Sequence, residues 1–232
     1  MATIIFDFDG TLALGDGPID AYVRCVDDEA RRPRFRAAAA AERARFENGE
    51  CYRDAYHAVH AAAVATGVGP EALQAGYLRS RELLATDEAP IAPPAGLGDF
   101  LARVAPHADL VLVTNSPETR LNEALESLGA REHLSRVVSG AGKPLGLMPI
   151  LADALGRGPV LSVGDIFEFD LAPAESLGAD TALVGHHPAA TVARVTMAAA
   201  TLAELYPAIE AWAAAAAQGA APTGTGCTTA PR

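Results

Sequence analysis

The sequence has few cysteines and no long apolar run. Its three cysteines, Cys25, Cys51 and Cys227, are an odd number and lie far apart, so they match neither a disulfide framework nor a cysteine-rich metal site. No segment approaches the roughly 20 apolar residues of a membrane-spanning helix, and the run Thr3-Ile4-Ile5-Phe6 is too short for a signal peptide. We therefore expect a cytoplasmic protein that does not associate with membranes.

Positive charge is scarce as well. The chain has 18 basic and 29 acidic residues, which gives a net charge of −11. Such a surface repels the phosphates of nucleic acids and of anionic lipids, so we expect no nucleic-acid partner. Lys143 is the single lysine, and the other basic residues are arginines. The 232 residues suit one large domain or a domain with a smaller one inserted.

The order of predicted elements indicates the fold class. The β-branched run Thr3–Phe6 is typical of a buried strand, and residues 14–92 carry helical patterns only. Beyond a Pro-rich linker, predicted strands at 110–113, 137–138, 160–163 and 181–184 alternate with helices at 98–104, 118–128, 147–155 and 171–177, and a last helix covers 202–217. This alternation predicts a doubly wound parallel sheet with helices on both faces, an α/β fold.

The same pattern predicts three segments. Residues 1–13 and 93–217 form an α/β core domain, and residues 14–92 form an inserted, all-helical domain. Residues 218–232 are rich in Gly, Ala, Pro and Thr, and we expect them to be disordered.

Polar side chains follow the predicted strands at the point where each strand ends. They are Asp7-Phe8-Asp9-Gly10-Thr11, Thr114-Asn115-Ser116, Lys143 in a Gly-rich loop, and Gly164-Asp165 with Glu168 and Asp170 close behind. The carboxyl ends of parallel strands meet at one edge of a sheet, so these groups are expected to come together. Crowded carboxylates need a cation, and oxygen ligands suit Mg²⁺. A lysine and hydroxyl groups beside that ion are typical of a phosphate site.

These residues resemble the four motifs of the haloacid dehalogenase (HAD) superfamily. Asp7-x-Asp9-x-Thr11 is similar to the first motif, Thr114 to the second, Lys143-Pro144 to the third, and Gly164-Asp165 with Asp170 to the fourth. The resemblance extends to about residue 217. The helical insertion after the first strand is typical of phosphatases that resemble phosphoglycolate phosphatase, in which it is a cap domain.

The resemblance implies a role for each matching residue. Asp7 is the implied nucleophile and Asp9 the general acid and base. The carboxylates of Asp7 and Asp165 and the carbonyl of Asp9 are the implied magnesium ligands. Thr114, Asn115, Lys143 and Gly10 are the implied phosphate-binding residues, and Asp170 and Thr11 support the site from a second layer.

The implied activity is hydrolysis of a small organic phosphomonoester through an aspartyl-phosphate. Dehalogenases of this family lack an acid at the position of Asp9. Phosphonatases of the family carry a lysine in the cap, whereas the single lysine of this chain is Lys143. An alkoxide leaving group needs a proton, so the presence of Asp9 favours phosphomonoesters. A phosphomutase of the same family remains an alternative, and a non-catalytic phosphate-binding module is a weaker one. We expect a monomer or a homodimer.

Overall fold

The computed structural model describes residues 1–30, 34–49 and 52–219. Six strands are present in the described ranges: β1 Ala2–Phe6, β2 Ala108–Val113, β3 Arg136–Val138, β4 Val160–Gly164, β5 Asp180–Val184 and β6 Met197–Ala199. The α-helices of the same ranges are α1 Gly17–Ala30, α2 Phe35–Glu47, α3 Ala55–Thr66, α4 Pro70–Glu82, α5 Leu97–Val104, α6 Leu121–Ser127, α7 Leu147–Leu155, α8 Ala172–Ser176, α9 Ala189–Val192 and α10 Leu202–Ala217.

The strands form one sheet in the order β3-β2-β1-β4-β5-β6, and each neighbouring pair is parallel. The predicted fold class, a doubly wound parallel α/β sheet, is confirmed. After β1 the chain moves outward to β2 and β3 and then returns to the other side of β1 as β4. The boundary between β1 and β4 is therefore the topological switch point, where ligands of such sheets bind.

Helices cover both faces of this sheet. Ile5 and Phe6 are neighbours in β1, so their side chains point to opposite faces. Ile5 belongs to a buried cluster with Leu147 and Leu151 of α7. Phe6 meets Phe100 of α5 edge to face at 6.3 Å between ring centroids, and Phe100 stacks on Tyr206 of α10 at 3.9 Å.

The chain divides into two compact units. The first comprises Met1–Leu14, Pro93–Glu118 and Leu125–Arg232, and the second comprises Gly15–Ala92 and Thr119–Ala124. The second unit contains α1 to α4. Gly76 allows α1 and α4 to approach closely, because a Cβ at Gly76 would lie 2.7 Å from Cα of Val26. The assignment of the helical segment 14–92 as a cap domain stays a prediction.

Several elements differ from the sequence prediction. The helix predicted from residue 118 begins at Leu121, since Arg120 has a left-handed backbone with φ of 53°. The helix predicted from Leu171 is preceded by a π-helical turn, Phe167–Leu171. Helix α9 and strand β6 were not predicted, because they have only four and three residues and show no clear periodicity. The predicted tail lies outside the described residues from 220 onward.

Candidate active site

The two central aspartates of the site lie side by side at the switch point. Asp7 directly follows β1 and Asp165 directly follows β4, and these strands pair with Phe6 opposite Val163. The backbone N–H of Asp7 continues the pairing by donating to the carbonyl of Val163 at 2.9 Å. The pairing of β1 with β4 therefore places Asp7 and Asp165 next to each other. This agrees with the prediction made from the polar residues at the strand ends.

Two glycines leave space for the carboxylates of Asp165 and Asp170. Gly10 has a φ of +86°, and a Cβ there would lie 2.3 Å from Oδ2 of Asp165. A Cβ on Gly164 would lie 2.4 Å from Cβ of Asp170. Real Cβ atoms do not approach other heavy atoms this closely, so a side chain at either position would displace a carboxylate of the site.

The ammonium of Lys143 bridges two carboxylates. Nζ donates to Oδ1 of Asp7 and to Oδ1 of Asp170, each at 2.6 Å. The side chain of Lys143 is only 4% exposed, and those of Asp7 and Asp170 are 10% and 4% exposed. Water therefore screens these ion pairs weakly, and breaking one would leave a buried charge without its partner.

Asp170 is held by its own segment of chain. It lies in the π-helical turn, and such turns often occur at functional sites. The backbone N–H of Ile166 donates to Asp170 Oδ2 at 3.0 Å, and the hydroxyl of Ser162 donates to its backbone carbonyl at 2.7 Å. Oδ1 is thereby directed to Lys143. The sequence placed Asp170 in a supporting layer, and the structure puts it in direct contact with that lysine.

The three aspartates form a cluster that suits a divalent cation. Asp7, Asp165 and Asp170 each place a carboxylate oxygen within 4.8 Å of the others. Oδ1 of Asp165 is buried and has no hydrogen-bond partner among the described residues. A small, hard cation that prefers oxygen ligands, such as Mg²⁺, fits this donor set and would satisfy that oxygen.

The pKa values show that the cluster is short of positive charge. Burial and the nearby Asp170 raise the pKa of Asp7 to about 7, although Lys143 acts in the opposite direction. Burial, together with Asp7 and Asp170, raises the pKa of Asp165 well above its ordinary value. Burial alone would lower the pKa of Lys143, but Asp7 and Asp170 outweigh it and the pKa is raised. The lysine therefore stays protonated, and one ammonium does not balance three carboxylates.

The loop after β2 supplies the second part of the site. Thr114 is buried, and its Oγ1 accepts a hydrogen bond from the backbone N–H of Ser116 at 3.0 Å. The amide of Asn115 holds the main chain of Lys143: Oδ1 accepts from the Lys143 N–H at 2.6 Å, and Nδ2 donates to its carbonyl at 3.3 Å. The side chain of Asn115 thus positions Lys143. The phosphate-binding role of Asn115 stays a prediction.

Asp9 lies beside the aspartate cluster, and its carboxylate has a different partner. Oδ2 of Asp9 accepts a hydrogen bond from the hydroxyl of Ser116 at 2.5 Å. Gly10 and Thr11 follow in the same loop, and Oγ1 of Thr11 is buried without a hydrogen-bond partner in the described part of the chain. No role was predicted for Ser116 or Ser162 from the sequence. For Ser116 a signal existed, since it follows a strand end together with Thr114.

Comparisons with known proteins identify the fold. No family model and no curated protein matches the chain. Among solved structures, it is similar to YfnB of Bacillus subtilis, which is assigned to the HAD hydrolases and was solved with magnesium (TM-score 0.60, 19% identity, 90% of this chain and 98% of that one). The chain has the HAD-hydrolase fold.

Two further similar structures come from proteins that are assigned different activities. One is a Thermotoga maritima protein assigned as a β-phosphoglucomutase (TM-score 0.59, 19% identity, 90% of this chain and 99% of that one). The other is a HAD phosphatase from Thermococcus onnurineus (TM-score 0.55, 18% identity, 90% of this chain and 96% of that one). Dehalogenase structures match as well. Because one fold serves several reactions, the activity has to be argued from the site.

Within the described ranges, no helix is both long and apolar enough to span a membrane.

Proposed function

We propose that this protein is a magnesium-dependent phosphatase that hydrolyses small organic phosphomonoesters through a phosphoryl group carried on Asp7. The observation that carries the proposal is the contact of Lys143 Nζ with both Asp7 and Asp170, at 2.6 Å each, together with Oδ1 of Asp165, which has no hydrogen-bond partner among the described residues. A buried nucleophile, a fixed ammonium and a cation-binding cluster are the parts that phosphoryl transfer needs.

In the first step, an oxygen of the Asp7 carboxylate attacks phosphorus, and the bond from phosphorus to the alkoxide breaks. Asp9 gives the leaving alkoxide its proton. Lys143 and the hydroxyl of Thr114 bind the phosphoryl oxygens. Asp7, Asp165 and the carbonyl of Asp9, with Asp170 adjacent, would hold Mg²⁺, and the ion would supply positive charge to balance these oxygens.

In the second step, Asp9 takes a proton from water, and the water oxygen attacks the phosphorus on Asp7. The bond between phosphorus and the Asp7 oxygen breaks, which releases inorganic phosphate and restores the carboxylate. Asp9 is again protonated and ready for the next substrate. This use of Asp9 separates a phosphatase from a dehalogenase, since a halide leaves without a proton.

The proposal is tested by phosphate release from a panel of alkyl and aryl phosphomonoesters. Activity should disappear in excess chelator and return with Mg²⁺. Ca²⁺ should inhibit, because its looser and more numerous ligands do not hold the reacting oxygens in line. Asp7→Asn should be inactive with every substrate, because an amide cannot form the phosphoenzyme. Asp153→Asn is the matched control, since Asp153 lies on α7 with its side chain 58% exposed and should retain full activity. Full activity without a divalent metal would refute the proposal.

The similarity to an assigned β-phosphoglucomutase makes sugar phosphate isomerisation the second candidate. Both reactions use a nucleophile and an acid, and they differ in the group that accepts the phosphoryl. Incubation with a hexose monophosphate, with and without a hexose bisphosphate, distinguishes them. A phosphatase releases phosphate under both conditions, whereas a mutase converts one isomer to the other and depends on the bisphosphate.

A further inference from the structure

We propose that Ser116 is a positioning residue whose hydroxyl holds the carboxylate of Asp9 in the orientation needed for proton transfer. This inference rests on the proposed function, because it assigns Ser116 to the same reaction. It concerns the acid and base of the site rather than the nucleophile or the metal cluster.

The hydrogen bond that supports this proposal is short, and its donor is buried. Ser116 Oγ donates to Asp9 Oδ2 at 2.5 Å, and Ser116 is only 4% exposed. The two residues are 107 positions apart in sequence, so the fold alone brings them together. The serine hydroxyl donates and a carboxyl oxygen of Asp9 accepts, so this hydrogen bond can form whether or not Asp9 carries its proton.

Ser116 is itself fixed by its neighbours. Its backbone N–H donates to Thr114 Oγ1 at 3.0 Å, and its carbonyl accepts from the N–H of Gly140 at 2.8 Å. The carbonyl of Thr114 accepts from the N–H of Ala141 at 2.9 Å. The loop after β2 is thus tied to the loop that leads to Lys143, and the Ser116 hydroxyl has a defined position.

Asp9 needs such a support. It lies in a loop after β1, is half-buried, and precedes Gly10 with its left-handed φ of +86°. Loss of the hydroxyl removes one of the contacts that orient this carboxylate, so its oxygens should shift relative to the leaving group. A misplacement of about 1 Å costs about 100-fold in rate, so the contribution of Ser116 should be large enough to measure.

The first test compares leaving groups in Ser116→Ala. With an alkyl phosphate, whose alkoxide needs the proton, kcat should fall roughly 10- to 100-fold with little change in KM. With p-nitrophenyl phosphate, p-nitrophenolate leaves without a proton, so the first-turnover rate of p-nitrophenol release should change by no more than about threefold. Ser135→Ala is the control, since its hydroxyl donates to the backbone carbonyl of Leu110 at 3.1 Å and it should behave as wild type. Thermal unfolding confirms that both variants fold.

The second test is a double-mutant cycle with Asp9→Asn. If Ser116 acts through the Asp9 carboxylate, Ser116→Ala should cause no further loss in the Asp9→Asn background. The rate of the p-nitrophenol burst and the amount of phosphate on Asp7 give the readout in that background. A similar slowing of the burst in both backgrounds would overturn the inference, because Ser116 would then act on phosphoryl transfer itself.

The two proposals fail in different ways. If wild type hydrolyses no phosphomonoester and carries no phosphate on Asp7, the proposed function is wrong and the role of Ser116 falls with it. If wild type is active and Ser116→Ala hydrolyses alkyl phosphates at the wild-type rate, only the role of Ser116 is overturned.

Discussion

Without a bound cation, the protein should lose stability as the pH rises, and Asp7 should be a main cause. Burial and Asp170 raise its pKa from 3.8 to about 7 in the folded state. The folded protein therefore holds a proton on Asp7 that the unfolded chain gives up near pH 4. The stability that this proton contributes is fully present below the pKa of Asp7 in the unfolded chain. It is lost as the pH rises through the pKa of Asp7 in the folded protein, about 7.

The magnitude follows from the two pKa values. Between them, the free energy of unfolding should fall by about 1.4 kcal/mol per pH unit, which amounts to about 4 kcal/mol from Asp7. Between about pH 5 and pH 8, the expected loss is about 3 kcal/mol. Asp7→Asn cannot titrate, so its stability in chelator should depend less on pH by this amount.

Urea denaturation followed by tryptophan fluorescence measures this difference. Trp212, the single tryptophan, lies in the same compact unit as Asp7, is 4% exposed, and donates through Nε1 to Asp180 at 2.8 Å. Its emission therefore reports unfolding of the unit that holds the site. Added Mg²⁺ should restore stability at about pH 8 and much less at about pH 5, where protons compete for the carboxylates. Parallel pH profiles of wild type and Asp7→Asn in chelator would refute the reasoning.

Substitutions at three further positions test other contacts. Lys143→Ala should lower kcat by several orders of magnitude. Lys143→Arg should also have a low kcat, because a planar guanidinium group does not replace a compact ammonium group. Near-normal phosphate release by either variant would contradict the role of Lys143. Gly10→Ala should weaken Mg²⁺ binding in calorimetry, since its Cβ would lie 2.3 Å from Oδ2 of Asp165 and its φ of +86° disfavours a side chain, so unchanged affinity would argue against a ligand role for Asp165. Gly76→Ala should lower the melting temperature by several degrees, as its Cβ would lie 2.7 Å from Cα of Val26; a rise, as expected for alanine in an open helix, would show that α1 and α4 are packed less closely.

The fold class and the segments that bear the site could be predicted from the amino-acid sequence alone. The apolar run before Asp7 and the alternation of strands and helices predicted a parallel sheet, because burial on both faces leaves that pattern in the chain. The helix limits Leu147–Leu155 and Leu202–Ala217 agree with the prediction, since both segments have strong helical patterns. The polar strand ends predicted which groups meet, because strand direction alone sends them to one edge.

The pairing of those groups could not be predicted from the sequence, because it depends on contacts between distant segments of the fold. The contact of Lys143 with Asp170 depends on a π-helical turn, and the two hydrogen bonds from Asn115 to the main chain of Lys143 join loops 28 residues apart. The Ser116–Asp9 hydrogen bond joins residues 107 positions apart. Local propensity carries no information about contacts between residues so far apart in sequence. These contacts arise from packing of the whole sheet and from the space that Gly10 leaves for Asp165.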